Sequence, residues 1–348
     1  MKIIYCVKGY LNELSNSSNI WFCSFTYYVY FHNIYYEFKY GDDIVKIGDI
    51  VVRKSYGGDI TFKIIDIKSG DNNDVYLLKG INLRIEADSL SEDLELVSEN
   101  NIGEIDKVFN KKVNASIKRI LMNRIKGTRG DRAAAIDING KIKDLQLKQE
   151  KYKDYKNKDM IFGRPGKILH VDGDAEYLEV CLKTYKQLSL DAVGRVIPEK
   201  NQPNEIVNLV KEVKPDIVVI TGHDGMVKGI TDYIDLSNYR NSKYFVEAVM
   251  ALRSYNSSYD DLVIFAGACQ SCYEAILDAG ANFASSPNRV LIHCLDPVLV
   301  SEKIAYTNIE NVVAIEDVIQ NTITGLKGIG GLQTRGKYRE GFPKSQYI

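Results

Sequence analysis

Neither charge sign is in excess in this chain: 45 Lys and Arg stand against 46 Asp and Glu, a formal net charge of −1 over 348 residues. Such a balance supplies no overall field to draw the protein to nucleic acid or to an anionic membrane, and neither partner is expected. Long apolar runs are also missing, since nothing approaches the ~18–20 consecutive apolar residues of a membrane helix. The nearest stretch, 20–38, is aromatic but broken by His32, Asn33 and Glu37. It lacks the basic leader and small-residue cleavage site of a signal peptide. Cysteine is sparse: Cys6, Cys23, Cys181, Cys269, Cys272 and Cys294 are too few for a disulfide scaffold in a chain of this length. Three of them fall in apolar or helical contexts, as suits reduced intracellular thiols. With only four His and no metal-ligand spacing, no metal and no cofactor is expected. No internal repeat of fixed period is present.

What is there is globular, with 45% hydrophobic and 26% charged residues and a length that favours more than one domain. Residues 1–44 are rich in Tyr and Asn. They suit a strand or two, or equally an over-extended gene start, and they carry no assigned function. Residues 45–98 hold five short strand candidates, 50–53, 61–67, 74–78, 83–87 and 94–97, separated by turn clusters at 56–59 and 69–73. That spacing predicts a small SH3-like β-barrel. With few basic and many acidic residues, it reads as a docking module. Residues 99–163 are charged and helical in pattern, with a basic, Gly-containing break at 126–132, and read as a solvated linker. Exposed tips of this kind are where proteases nick, so Arg129–Gly130 is a candidate for self-cleavage. From 164 to 348 strand and helix alternate. Strands are predicted at 167–171, 192–197, 216–221, 262–266 and 290–295, with helices between them and a Gly-rich irregular tail at 325–343. This rhythm predicts a doubly wound, mostly parallel α/β sheet with right-handed crossovers.

Two apolar runs in that domain end in reactive side chains. Asp216–Thr221 leads into Gly222-His223-Asp224-Gly225, and Leu262–Ala266 leads into Gly267-Ala268-Cys269-Gln270-Ser271. Continuous apolar runs read as buried parallel strands, and residues just past their carboxyl ends lie where open α/β sheets hold ligands. Cys269 is therefore the candidate nucleophile and His223 its base or ion-pair partner. A helix beginning near Ser271 would favour the thiolate. His170 and His293 sit inside strand runs, where a satisfied core histidine is the default. Acyl transfer also requires an oxyanion hole, for which main-chain N–H groups at Cys269, Asp224 and Gly225 are candidates. Asp172 and Asp174 follow the first strand of the domain and point to the same rim. Either suits a cationic substrate side chain, and Asp174 alternatively caps the next helix. Cys269-Gln270-Ser271-Cys272 is a Cys-x-x-Cys, so thiol–disulfide exchange is a rival chemistry, with Cys272 otherwise a core residue.

A strand followed by His, then a second strand followed by Ala-Cys-Gln, resembles the caspase-like cysteine peptidases. Here Asp224 intervenes where relatives have Gly directly after the His. More closely, several segments resemble the YabG family of sporulation-specific proteases of spore-forming bacteria. They are Gly48–Tyr56, His170–Asp174, Val219–Asp224, Ala281–Pro287 and Gly330–Gly336. The resemblance covers 47–98 and 164–343. It implies a thiol peptidase acting on spore coat and related spore proteins in the mother cell of the sporulating cell, with preference for cutting after Arg or Lys. A non-catalytic coat-assembly protein is the other alternative.

Overall fold

The computed structural model describes residues 27–31, 34–38, 45–70, 73–97, 104–133, 162–227, 229, 232–345 and 347, with the backbone only at 27–31, 34–38, 104 and 125–133. Strands β1 (Tyr27–Phe31) and β2 (Ile34–Phe38) form an antiparallel hairpin. Next come β3 (Ile50–Arg53), β4 (Thr61–Lys68), β5 (Val75–Gly80), β6 (Glu86–Leu90) and β7 (Leu94–Leu96). They make one antiparallel sheet in the order β6-β5-β4-β3-β7, so β6 and β7 are its two edges. Val51, Phe62, Ile64, Leu78 and Leu94 fill its core. The candidate strand at 83–87 begins instead at Glu86, because Leu83, Arg84 and Ile85 leave the sheet.

Helix α1 (Glu104–Ala133) is continuous through the expected break at 126–132. It is not simply solvated. Ile117 and Ile120 are buried in the core of the following sheet. Arg124 reaches Glu302 Oε1 at 2.6 Å and the Leu188 carbonyl at 2.8 Å. Arg129 thus lies on helical backbone, and a helical peptide bond must unwind before a peptidase can take it as an extended substrate.

The larger unit contains β8 (Phe162–Arg164), β9 (Ile168–Asp172), α2 (Ala175–Gln187), β10 (Ala192–Val196), α3 (Gln202–Val213), β11 (Ile217–Thr221), α4 (Ser242–Tyr255) and β12 (Val263–Ala266). It continues with α5 (Tyr273–Asp278), β13 (Phe283–Ser285), α6 (Asp296–Tyr306), β14 (Val312–Val313), α7 (Ile315–Asn321) and β15 (Ile329–Gly331). The sheet order is β10-β9-β11-β12-β13-β15, parallel except for β15. Alternate residues of each strand serve opposite faces, as the period of two requires. Ile168, Ile217, Val219, Val263 and Phe265 pack with α1, α2 and α6, whereas Leu169, Val171, Val218, Ile220 and Ile264 pack with α3 and α4. Both faces are covered, which is why the strands read as unbroken apolar runs.

Two expectations fail. The run at 290–295 is apolar but is no strand; it is an irregular buried segment, with β13 and β15 taking the remaining places in the sheet. A short apolar run marks burial and does not by itself mark extension. The Gly-rich tail is not merely irregular, since it supplies edge strand β15. There Gly331 lies so close to the Asn282 carbonyl and the Phe283 ring that a Cβ has no room.

Candidate active site

Strands β9, β11 and β12 run side by side, with Val171 opposite Ile220 and Ile220 opposite Ala266. Their carboxyl ends open on one rim. Asp172 closes β9, His223 follows the end of β11, and Cys269 follows the end of β12.

Cys269 is held in a tight turn. Gly267 has φ +110°, and a Cβ there would meet Ser285 Oγ at 2.5 Å. Gln270 takes a left-handed φ of 56°. Cys269 is 1% exposed, and its sulfur accepts the Ile292 main-chain N–H at 3.2 Å. Burial pushes its pKa up to about 11, against the pull of the Ile292 N–H and of the Arg84 guanidinium and main-chain N–H. The resting sulfur is therefore a protonated thiol. Helix α5 begins at Tyr273, beyond the reach of an N-terminal effect that fades within a turn. The nearby cation is Arg84, which pattern reading did not supply.

His223 is fixed on several sides. Its main-chain N–H donates to Glu199 Oε1 at 2.7 Å, and Asn241 Nδ2 donates to its carbonyl at 2.8 Å. Its Nε2 lies 2.8 Å from Asp174 Oδ2 and 3.9 Å from Glu86 Oε1. Asp174 has two further tasks. It caps α2 by accepting the Glu176 and Tyr177 N–H groups at 2.9 and 3.2 Å, and it pairs with Lys79 Nζ at 2.6 Å. Burial disfavours its charge, but His223, Lys79 and the cap together hold its carboxyl below the usual range. The capping expectation is thus met, and a role the sequence did not suggest, holding the imidazole, is added. Among the described residues no hydrogen bond joins His223 to Cys269. The Tyr177 ring lies 5.8 Å from the His223 ring.

Asp224 ties the two turns together. Its carboxylate accepts from the Gly225 and Asn241 N–H groups at 2.9 and 2.8 Å, and from the Ser242 and Ser271 hydroxyls at 2.5 and 2.9 Å. Burial nevertheless raises its pKa. The Ser271 hydroxyl in turn accepts the Ala268 N–H at 2.9 Å, so the His turn and the Cys turn are laced through one carboxylate. Of the oxyanion candidates, Gly225 is corrected: its N–H is committed to Asp224. The N–H groups of Cys269 and Asp224 carry no hydrogen bond among the described residues.

Asp172 is fully buried and already engaged. It takes Arg84 bidentately, Nη1 to Oδ1 at 3.0 Å and Nη2 to Oδ2 at 2.7 Å. The Asp174 N–H and the Thr221 hydroxyl also donate to it, at 2.9 and 2.8 Å. Burial alone would raise its pKa; the Arg84 guanidinium outweighs this and holds the carboxyl well below the usual carboxylate range. Arg84 stacks on Tyr177 at 4.9 Å and reaches Cys181 Sγ at 4.0 Å. As the structure stands, Asp172 is a slot for a guanidinium that is filled from within the chain. Asp174 faces His223 and Lys79, which corrects its reading as a receiver of a substrate cation. No pattern in 83–87 marks Arg84 as special, because a lone Arg beside a strand looks like any surface cation.

His170 is a core histidine, bonded to Thr221 Oγ1 at 2.8 Å and Tyr185 OH at 3.2 Å. His293 is buried with its pKa pushed down to about 3, by desolvation first and then by Arg84 and Lys112. Cys272 is a free buried thiol facing the Tyr233 and Ile234 carbonyls at 3.8 and 3.7 Å, whereas Cys269 faces Ile292. Among the described residues no cluster of three or more His, Cys, Asp or Glu is arranged to hold a metal ion, and no helix is long and apolar enough to cross a membrane.

A family model described as YabG peptidase U57 matches residues 46–343. The chain is 40% identical over 302 residues to "Sporulation-specific protease YabG" of Bacillus subtilis (strain 168), covering 86% of this chain and 98% of that protein. No solved structure matches.

Proposed function

The chain belongs to the YabG peptidase family and is a peptidase of sporulation; on that premise we propose that it cuts spore coat and related spore proteins after Arg or Lys, using Cys269 and His223 as a dyad. What supports the reading is the order of the strands: neighbours β9, β11 and β12 end at Asp172 or lead directly to His223 and Cys269, and Asp172 holds a guanidinium.

The Cys269 sulfur attacks the scissile carbonyl carbon. Because the resting sulfur is protonated, its proton must leave as the C–S bond forms. His223 Nδ1, unbonded among the described residues, receives it, while Asp174 at Nε2 orients the ring and stabilises the imidazolium. Catalytic hydrogen bonds are often long in resting structures and tighten when substrate binds, so the missing Cys269–His223 bond suits a resting chain. The N–H groups of Cys269 and Asp224 hold the oxyanion; a donor of this kind contributes about 2.7–4 kcal/mol to the transition state. His223 then returns the proton to the leaving amine, and water hydrolyses the thioester. Asp172 receives the substrate cation as it now receives Arg84, bidentately for Arg and as a single charge for Lys.

The five-stranded module at 45–98 is taken as SH3-like and as a docking element for substrate or the spore surface. Residues 99–163 connect it to a caspase-like domain at 164–348. The place of action is the mother cell, at the developing coat.

The test is hydrolysis of short fluorogenic peptides bearing Arg, Lys or Leu before the scissile bond. The Arg and Lys peptides should be cut and the Leu peptide spared, and alkylation or Cys269→Ala should abolish turnover. Full activity in Cys269→Ala sinks the mechanism.

A further inference from the structure

Two glycines on neighbouring strand ends face the same carboxylate. Gly173 follows β9, and Gly222 follows β11. Neither takes a left-handed φ, so conformation alone would admit a side chain at both. Space does not allow it. A Cβ at Gly173 or Gly222 would lie 2.5 or 2.8 Å from Glu199 Cδ, well inside the separation at which carbon atoms pack. The Glu199 carboxyl group fills the place of two missing side chains, one in the turn after Asp172 and one in the turn before His223.

The segment that carries Glu199 is built to hold it there. After β10, Ile197 donates its main-chain N–H to the Asp172 carbonyl at 2.9 Å, and the Asn201 N–H closes a tight turn on the Pro198 carbonyl at 2.8 Å. Gln202, fully buried at the start of α3, sends Nε2 to the Ile197 and Thr221 carbonyls at 3.0 and 2.9 Å. The Gly173 N–H also donates to the Thr221 carbonyl, at 3.0 Å. The connection from β10 to α3 is pinned in this way to the ends of both β9 and β11. Among the described residues Glu199 has no cation partner, and its one hydrogen bond is the His223 main-chain N–H on Oε1 at 2.7 Å. A half-buried carboxylate that faces no cation costs folding energy, so stability is a poor reason for its presence.

We propose that Glu199 is a positioning residue of the peptidase. It fixes the main chain at His223, so that the ring keeps Nε2 on Asp174 and Nδ1 free for the Cys269 proton. The proposal rests on the roles given above to His223 and Cys269. Three elements hold His223 at three atoms: Glu199 takes its N–H, Asn241 before α4 donates to its carbonyl, and Asp174 before α2 meets Nε2. Asp174 can orient the ring only about torsions that start from a fixed Cα, and the two main-chain bonds supply that fixed point. Of these two, the bond to Glu199 has a charged acceptor and is the stronger. Glu199 acts through the main chain and touches neither substrate nor the reacting atoms. Glycine at 173 and 222 then serves the reaction by leaving room for this carboxylate.

The experiment measures kcat and KM on an Arg peptide, with a urea melt of each protein, in the full chain. The variants are Glu199→Ala, Glu199→Gln, Gly222→Ala and the double variant Glu199→Ala/Gly222→Ala. Glu199→Ala should lose about 10- to 100-fold in kcat, the scale of a ~1 Å misplacement of a reacting group. Its KM should stay within about twofold, because none of the bonds to the Asp172 carboxylate comes from Glu199. Glu199→Gln should keep kcat within about threefold, since an amide oxygen accepts the same N–H at roughly half the strength. Gly222→Ala should match Glu199→Ala, because its methyl group displaces the flexible end of Glu199 and spares the fold. The double variant should be no slower than either single one, since the methyl group then enters vacated space. Unrelated roles would instead multiply the two losses. Should Glu199→Ala fail to fold, Gly222→Ala against Glu199→Gln makes the same comparison. A kcat for Glu199→Ala within about twofold of wild type, a loss confined to KM, no rescue by Gln, or multiplied losses in the double variant overturns the proposal and leaves the peptidase reading standing. If wild type itself leaves the peptide uncut, the peptidase reading falls and takes the positioning role with it.

Discussion

Asp174→Asn separates holding the imidazole from capping the helix. Asn caps a helix as well as Asp does, so the bonds from the Glu176 and Tyr177 N–H groups survive the change. What is lost is the negative charge 2.8 Å from His223 Nε2 and 2.6 Å from Lys79 Nζ. A hydrogen bond to a charged group is worth about 1.5–3 kcal/mol. If that bond supports the imidazolium formed during attack, its loss lowers kcat/KM by about 10- to 150-fold, at 1.36 kcal/mol per decade. Asp174→Ala removes the cap as well and should cost about a further 1 kcal/mol of stability. The assay pairs kcat/KM on an Arg peptide with a urea melt of each variant. The expected pattern is a large rate loss with a small stability loss in Asn, and both losses in Ala. A rate for Asp174→Asn within twofold of wild type would falsify the claim that this carboxylate supports His223, leaving it a cap alone.

Asp172→Asn leaves Arg84 buried without its partner and should destabilise the chain by about 3–5 kcal/mol in urea unfolding at neutral pH. The Asp172 carboxyl is held below its unfolded value, so its contribution is present above about pH 4 and is lost as pH falls from there. The gap between wild type and Asp172→Asn should therefore narrow in acid, and a gap that widens below pH 4 contradicts the pairing. Because burial pushes the Cys269 thiol up to about 11, its alkylation by iodoacetamide should be slow at pH 7 and rise toward that value; rapid labelling at neutral pH would show an accessible thiolate instead. Cys272→Ser should keep near-normal peptide turnover, whereas its inactivation would favour thiol–disulfide chemistry.

Much of the larger unit was legible because its strands are covered on both faces. Leu169 and Val171 pack one way and Ile168 the other, so the run is apolar throughout and stands out from its neighbours. Capping by Asp174 was legible for a local reason, an Asp one residue before a helical pattern. The run 290–295 misled because burial against the Cys269 turn demands the same residues as burial in a sheet. Helix α1 was read as solvated because its charges dominate its composition; Ile117 and Ile120 anchor it with a narrow stripe, and the guanidinium carbon of Arg124 lies 3.4 Å above the Tyr306 ring centroid.

From order along the chain alone came the alternation of strand and helix, the two strand ends that bear His223 and Cys269, and the signatures of the family. These follow from periodicity and spacing, which are local. The partners of each reactive group were settled only by folding: Asp174 and Glu199 on His223, Asp224 lacing the two turns, and Arg84 reaching Asp172 across 88 positions of sequence. Charges that far apart leave no mark on local pattern, because their pairing depends on how two sheets meet.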